Sequence, residues 1–135
     1  MKTAVIYWSA TGNTEAMANA VAASAGVEAV TVSDFSGDIK EYAALALGCP
    51  AMGDEVLEES EFEPFFASIE GELSGKKVLL FGSYGWGDGQ WMRDWEERTK
   101  AAGAELVGGE GCIVNDSPTD DDIEKLKELG TQIVF

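Results

Sequence analysis

A polar loop at residues 9–14 is the part of the sequence best suited to hold a ligand. It lies between an apolar stretch that predicts a strand and an amphipathic stretch that predicts a helix, and it reads Ser9-Ala10-Thr11-Gly12-Asn13-Thr14. Hydroxyl groups and backbone N–H groups at the N-terminus of a helix form a concave set of donors suited to a phosphate. Gly12 lets the backbone approach such a ligand closely. The loop is therefore a candidate phosphate site.

The loop and its surroundings contain no cation. No Lys or Arg lies between Lys2 and Lys40, so a phosphate would be held by neutral donors and by the helix end, which fits a monophosphate better than a nucleoside triphosphate. A P-loop needs a lysine after its final glycine, and a dinucleotide fingerprint needs the spacing G-x-G-x-x-G. The loop has neither. Taken alone, it is equally well explained by Ser, Thr and Asn side chains that only cap the helix.

Two further loops follow predicted parallel strands and should reach the same edge of a sheet. Residues 49–55 (Cys-Pro-Ala-Met-Gly-Asp-Glu) offer a soft apolar side chain, a free peptide and two acceptors. In residues 83–89 (Ser-Tyr-Gly-Trp-Gly-Asp-Gly), Trp86 is flanked by glycines. Glycine neighbours cannot wall in an indole, so Trp86 is better placed to stack on a planar ligand than to fill a core. Trp8 fits either packing or the rim of a site.

The elements that must position these loops alternate between apolar runs and amphipathic stretches, which is typical of β-α-β units that build a parallel sheet. The predicted strands cover residues 4–8, 27–32, 43–48, 77–81 and, interrupted by glycines, 105–114. Residues 34–41 predict a loop or a short helix. The pattern therefore predicts five strands with four or five helices.

The helices are predicted from apolar residues at helical spacing and from capping residues. Each helix should press its apolar face on the sheet, and Asp side chains in a first turn complement the helix dipole. The first helix carries Met17, Ala20 and Val21 and ends at Gly26; the next begins near Pro64 and carries Phe65, Phe66, Ile69 and Leu73; the third carries Trp91 and Trp95 and ends at Gly103; the last is capped by Thr119 before Asp120, Asp121 and Asp122.

Length and charge limit the classes of function. A chain of 135 residues, 45% of them hydrophobic, is large enough for one core, so we expect a single domain over residues 1–135. Nine Lys and Arg against 25 Asp and Glu give a net charge of -16. That charge repels nucleic acids and anionic membrane surfaces. It serves either solubility or the steering of basic protein partners.

Cysteine usage and the N-terminus point to a reducing compartment. Cys49 and Cys112 are far apart, no histidine is present, and no zinc spacing occurs. We therefore expect two buried thiols and no metal ligand. The short apolar run near the start does not have the length of a signal peptide, and no stretch has the length of a membrane span. We expect a cytoplasmic protein that does not enter the membrane.

Taken together, the three loops resemble the FMN loops of the short-chain flavodoxins in order and spacing over the whole chain. The absence of an insertion in the last strand fits that class, while Ala10 stands where related loops often carry glycine. The resemblance implies a doubly wound α/β domain. Its five-stranded parallel sheet has the order 2-1-3-4-5 with helices on both faces, and FMN is the cofactor.

The resemblance also implies roles for single residues. Ser9, Thr11, Asn13 and Thr14 would bind the FMN phosphate, helped by the Gly12 backbone and the Ser83 hydroxyl. Met52 and Trp86 would cover the two faces of the ring, Glu55 would accept from the flavin N3–H, and the Asp54 amide would donate. Asn115 would reach the ribityl chain. The cofactor-binding set is completed by Ala10, Ala51, Gly53, Tyr84, Gly85 and Gly87, and it contains no catalytic residue.

The function implied is that of a low-potential one-electron carrier rather than an enzyme. It would cycle between the neutral semiquinone and the anionic hydroquinone, with a flip of the Gly53 peptide favouring the semiquinone. The acids at 54, 55, 58, 59, 61 and 63 would disfavour the anion. We expect a monomer that meets redox proteins with basic surfaces.

The alternative is an FMN-dependent NAD(P)H or quinone reductase of the same fold. A phospho-acceptor domain would need acids at the end of the first strand, and a low-molecular-weight phosphatase would need a cysteine followed by an arginine. A ligand-binding module without redox chemistry leaves Trp86 unexplained.

Overall fold

The computed structural model describes residues 2–134, and its centre is one parallel sheet. The strands run in the order β2-β1-β3-β4, and both β5 and β6 pair with β4, so these two short strands share the fifth position. The predicted order 2-1-3-4-5 is confirmed. The strands are β1 (Lys2–Tyr7), β2 (Ala29–Thr31), β3 (Tyr42–Gly48), β4 (Lys77–Tyr84), β5 (Glu105–Leu106) and β6 (Cys112–Asn115).

Helices cover both faces of the sheet because the buried strands are apolar on both sides. Along β1, Ala4 and Ile6 face one core, and Val5 and Tyr7 face the other. The first core contains residues of α2 and α3, and the second contains residues of α1 and α4. This arrangement confirms the doubly wound fold. The helices are α1 (Asn13–Ala25), α2 (Phe62–Ile69), α3 (Gln90–Ala101) and α4 (Asp120–Gly130).

The predicted fifth strand is divided in two. Gly108 and Gly109 have φ angles of 78° and 81°, which lie outside the extended region and interrupt the strand. Pairing with β4 resumes at Cys112. The glycines seen in the sequence therefore do more than weaken the strand, because they separate β5 from β6.

The second helix begins before the proline that predicted it. α2 starts at Phe62, with Pro64 in its first turn, because the Glu58 carboxylate accepts hydrogen bonds from the N–H groups of Glu61 and Phe62 at 2.8 and 2.9 Å. Leu73 lies beyond α2, after a 3-10 turn, but is fully buried as expected. A 3-10 turn at Ile39–Glu41 falls within the segment predicted as a loop or short helix.

The topology gathers the polar loops at one edge. The connection after β1 leads to β2 on one side, while β3 pairs with β1 on the other side, so the order reverses between β1 and β3. Ligands of open parallel sheets bind outside the carboxyl ends of the strands at such a reversal. The loops that follow β1, β3, β4 and β6 all meet there.

Candidate cofactor site

A cavity of about 200 Å³ opens at this edge of the sheet. Ten of the twelve residues that line it belong to the set predicted from sequence, and Pro50 and Asp116 are the other two. Loops after three different strands therefore converge on one place, as the sequence predicted. The predicted residues in the wall are Ser9, Ala10, Thr11, Asn13, Thr14, Ala51, Met52, Ser83, Tyr84 and Gly85.

One end of the cavity is built from hydroxyl groups at the N-terminus of α1. The Thr14 and Ser83 hydroxyl oxygens lie 3.1 Å apart, and both side chains are buried. Ser9 Oγ accepts hydrogen bonds from the N–H groups of Gly12 and Glu15 at 3.1 and 3.3 Å. Ser9 therefore caps the helix from inside the loop. Gly12 itself has a φ of 97°, a left-handed conformation in which glycine is favoured.

The loop after β3 contains a tight turn at residues 52–56. Met52 and Val56 exchange backbone hydrogen bonds of 2.9 and 3.1 Å across it. Within the turn, Gly53 has a φ of 40° and Glu55 a φ of 59°. Met52 is half-buried and lines the cavity, whereas Gly53 and Asp54 are exposed and do not line it. The flip of the Gly53 peptide stays a prediction.

The loop after β4 presents its tryptophan to solvent. Trp86 is 67% exposed, although Gly85, the residue before it, lines the cavity. An indole this exposed contributes little to the core and is free to cover a planar ligand. Gly87 has a φ of 91° and does not line the cavity. Tyr84 does line it and packs on Trp91, with the ring centroids 5.7 Å apart.

The Glu55 side chain has backbone partners in the structure that nothing in the sequence predicts. One carboxylate oxygen accepts from the N–H of Asp88 at 2.8 Å, and the other accepts from the N–H of Trp91 at 3.0 Å. The carboxylate thus binds the N-terminal end of α3, and Glu55 does not line the cavity. Its assignment to the flavin N3–H stays a prediction.

At the end of β6, Asp116 lines the cavity and Asn115 does not, so the assignment of Asn115 to the ribityl chain stays a prediction. The Asn115 amide donates to the Tyr84 carbonyl at 3.3 Å, is exposed, and does not line the cavity. Asp116, with a φ of 57°, lines it beside Gly85 and donates its N–H to the Tyr84 carbonyl at 2.8 Å. Asp116 could have been predicted from the sequence, because polar residues directly follow the last parallel strand.

Comparison with known proteins decides the family. The family model described as flavodoxin matches residues 5–134. The chain belongs to the flavodoxin family. It is 50% identical over 132 residues to a flavodoxin of Megasphaera elsdenii, covering 93% of each chain, and 52% identical over 120 residues to one of Clostridium beijerinckii, covering 84% of this chain and 81% of that one.

The fold agrees with solved flavodoxin structures. The solution structure of two-electron reduced Megasphaera elsdenii flavodoxin superposes with a TM-score of 0.86 at 45% identity, covering 97% of this chain and 99% of that one. Flavodoxins bind FMN and transfer electrons. The chain is accordingly an FMN-binding electron-transfer protein rather than an enzyme.

The residues present fit FMN. A phosphate monoester matches the Thr14 and Ser83 hydroxyl groups and the N–H groups of Asn13 and Thr14, which have no partner within α1, whereas the N–H groups of Gly12 and Glu15 already donate to Ser9 Oγ. No Lys or Arg lines the cavity, whose one ionisable carboxyl group is that of Asp116. The cavity is smaller than the roughly 300–1,000 Å³ of typical ligand pockets. It therefore suits the phosphate and the sugar-like chain, while the exposed Trp86 is available to the flavin ring.

Two classes of feature are missing from residues 2–134. None of the helices there has the length and apolar character needed to cross a membrane. The same residues contain no group of His, Cys, Asp and Glu side chains arranged to hold a metal ion.

Proposed function

We propose that this flavodoxin is a low-potential one-electron carrier that uses the semiquinone and hydroquinone states of FMN and moves electrons between redox proteins with basic surfaces. The observation that carries the proposal is the convergence of three loops on a cavity whose wall has neutral donors and no cation. Bound FMN supplies the redox chemistry. The chain supplies the binding groups and the electrostatic field.

Binding of the phosphate is assigned to the start of α1 and the end of β4. The hydroxyl groups of Thr14 and Ser83 lie side by side there, and the first-turn N–H groups of α1 point the positive end of the helix dipole at the same place. Thr11 and Asn13 line the same wall. Neutral donors hold a phosphate without adding positive charge near the flavin.

Low potential is assigned to the surrounding negative charge. Reduction that adds negative charge to a ligand is disfavoured by nearby carboxylates. Asp116 stands in the cavity wall, and the segment from Asp54 to Glu63 carries a dense series of acids. Arg93, which is the cation of α3 closest in sequence to the loop after β4, is paired with Asp88 at 3.0 Å.

The whole-molecule charge supports basic redox partners, and we propose a cytoplasmic monomer. A surface with a net charge of -16 speeds encounters with basic proteins and opposes association with copies of itself. Cys49 and Cys112 are buried free thiols, and burial raises the pKa of each. Reduced, unreactive thiols are what a reducing compartment maintains.

Stepwise anaerobic reduction of the protein with one equivalent of FMN tests the proposal. We expect quenched flavin fluorescence on binding, followed by a blue neutral one-electron state midway through reduction. Direct passage from oxidised to fully reduced flavin, or steady turnover of NADH by the protein alone, would contradict it and favour the reductase. Absence of FMN binding would overturn the assignment of the three loops.

A further inference from the structure

The chain between β3 and α2 forms a loop whose two ends are in direct contact. The loop, residues 50–57, contains the turn at residues 52–56, and Cys49 and Glu58, which flank it, form its neck. The Glu58 N–H donates to the Cys49 sulfur at 3.3 Å, and both residues are buried. The neck therefore holds the loop closed where it leaves the core.

Strand β4 fixes one side of the neck. The Cys49 N–H donates to the Phe81 carbonyl at 3.1 Å. Two residues later, the Ala51 N–H donates to the Ser83 carbonyl at 3.0 Å. These bonds continue the parallel pairing of β3 with β4 past Gly48, the last residue of β3. Because Ala51 and Ser83 both line the cavity, the pairing extends into the cavity wall.

Helix α3 fixes the other side of the neck through the indole of Trp91. Its N–H donates to the Cys49 carbonyl at 3.1 Å, in a buried contact. Gly82 of β4 lies beside this contact, and a Cβ atom there would overlap the Cys49 carbonyl oxygen and come within 3.2 Å of the Trp91 ring. Trp91 also packs on Tyr84, which lines the cavity. One buried side chain thus contacts both the neck and the cavity wall.

We infer that Trp91 is a positioning residue: by holding the Cys49 carbonyl it fixes the neck, so that the turn with Met52 starts from a fixed base at the cavity wall. Trp91 itself does not line the cavity. A buried carbonyl that loses its donor is left with an unfavourable desolvation cost, so the neck would shift without the indole N–H. This role rests on the proposed function in placing Met52 against the flavin ring.

Helix α3 supplies a matched control for this contact. Trp91 and Trp95 are both fully buried and stand one turn apart on the helix. The Trp95 indole N–H has no hydrogen-bond partner among residues 2–134. Trp91→Phe and Trp95→Phe each replace a buried indole with a smaller ring, but only Trp91→Phe removes an indole hydrogen bond. A difference between the two variants therefore reports the contact with Cys49.

Amide hydrogen exchange in the full chain without FMN tests the neck directly. We expect the Ala51 and Glu58 amides to exchange about tenfold faster in Trp91→Phe than in Trp95→Phe, which is the effect of losing one buried hydrogen bond. The amides that pair β1 with β2 serve as the reference for opening of the whole molecule. Equal rates in the two variants would overturn the inference.

The bound flavin separates positioning from a purely structural role. At saturating FMN, stepwise anaerobic reduction should give a lower maximal yield of one-electron-reduced flavin in Trp91→Phe than in Trp95→Phe, because the turn no longer starts from a fixed base. FMN affinity should also be about tenfold weaker in Trp91→Phe. Equal yields and affinities would overturn the inference. A wild type that bound no FMN would instead overturn the proposed function, and amide exchange would still decide the role of Trp91 at the neck.

The wild type alone provides a measurement that does not depend on the folding of either variant. If the neck supports the cofactor site, linkage requires that bound FMN stabilise the neck in return. Exchange of the indole N–H protons, followed by NMR, should therefore slow on FMN binding by a larger factor at Trp91 than at Trp95. Equal slowing at the two indoles would overturn the inference.

Discussion

At the scale of single residues, two side chains differ in exposure, and we expect the exposed one to act on cofactor binding and the buried one to act on stability. Trp86 is 67% exposed and contributes little to the fold, whereas Glu58 is 6% exposed and accepts several hydrogen bonds. A substitution of Trp86 should therefore change FMN binding and leave the stability of the protein without FMN unchanged. A substitution of Glu58 should change the free energy of unfolding.

Trp86→Ala should weaken FMN binding about tenfold, because loss of a stacked ring removes ~1 kcal/mol or more of contact energy. Flavin fluorescence should be less quenched in the complex. Fluorescence titration measures both effects, with Trp86→Phe as a control that keeps a ring and should lose less. The free energy of unfolding without FMN should change by less than about 0.5 kcal/mol. Wild-type affinity and quenching in Trp86→Ala would contradict the role in stacking.

Glu58 should stabilise the fold only while it is ionised. Its carboxylate accepts from Ser60, both backbone and hydroxyl, and from the N–H groups of Glu61 and Phe62. Burial raises the pKa of this carboxyl, but the hydrogen bonds from Ser60, Phe62 and Glu61 together outweigh burial and hold the pKa below its ordinary value. A lowered pKa in the folded state means that the stabilisation is present above the unfolded pKa of about 4.3 and is lost as the pH falls.

Glu58→Gln should therefore lower the free energy of unfolding by about 1–3 kcal/mol at neutral pH. The difference from the wild type should shrink in acid, where the wild-type carboxyl is protonated and resembles the amide. Urea unfolding at neutral and acidic pH measures this, and Glu59→Gln at an exposed position controls for charge. A difference of the same size at both pH values would exclude the ionised cap.

At the scale of elements, the conformation of the turn at residues 52–56 depends on the backbone preference of the residue at position 53. Gly53 has a φ of 40°, and a Cβ atom added there would meet no neighbour within 4 Å. A substitution at this position consequently acts through backbone preference alone. β-Branched residues disfavour positive φ strongly.

Gly53→Val should lower the maximal yield of one-electron-reduced flavin, because valine penalises one of the two turn geometries that glycine permits. The measurement is the absorbance of the blue one-electron state during stepwise anaerobic reduction. Gly53→Ala, whose side chain is not β-branched, should give an intermediate yield. An unchanged maximal yield in Gly53→Val would contradict a role for this peptide.

Sequence periodicity could predict the elements but not all of their ends. Strands with long apolar runs, such as β3 and β4, can be predicted from the sequence alone. Parallel pairing then brings the loops that follow them to one edge of the sheet. The start of α2 depends on Glu58, a buried acid that looks like one more member of a solvated acidic run. The direction of the Glu55 side chain depends on contact with α3, thirty-odd positions later in the chain. Such long-range contacts leave no local signal.

At the scale of the whole molecule, the net charge of -16 acts on the reduction potential of the bound cofactor, on the attraction of partner proteins and on the response to salt. One unit charge about 10 Å from the flavin, at an effective dielectric constant of about 20, contributes ~1.7 kcal/mol, or roughly 70 mV for one electron. Because the acids from Asp54 to Glu63 lie within the turn at residues 52–56 or directly after it, several charges act on the same site. Their combined field should set the potential of the couple that produces an anion.

Added salt should raise the potential of the second electron by tens of millivolts, because moving from about 0.01 M to about 1 M salt shortens the screening length from ~30 Å to ~3 Å. The first couple, which adds a proton with its electron and gains no charge, should move much less. Spectroscopic titration at several salt concentrations measures both couples. Glu59→Gln removes one exposed charge and should raise the second potential at low salt but not at high salt. A second potential that does not change with salt would place the origin of the low potential inside the cavity, near Asp116, and not on the surface.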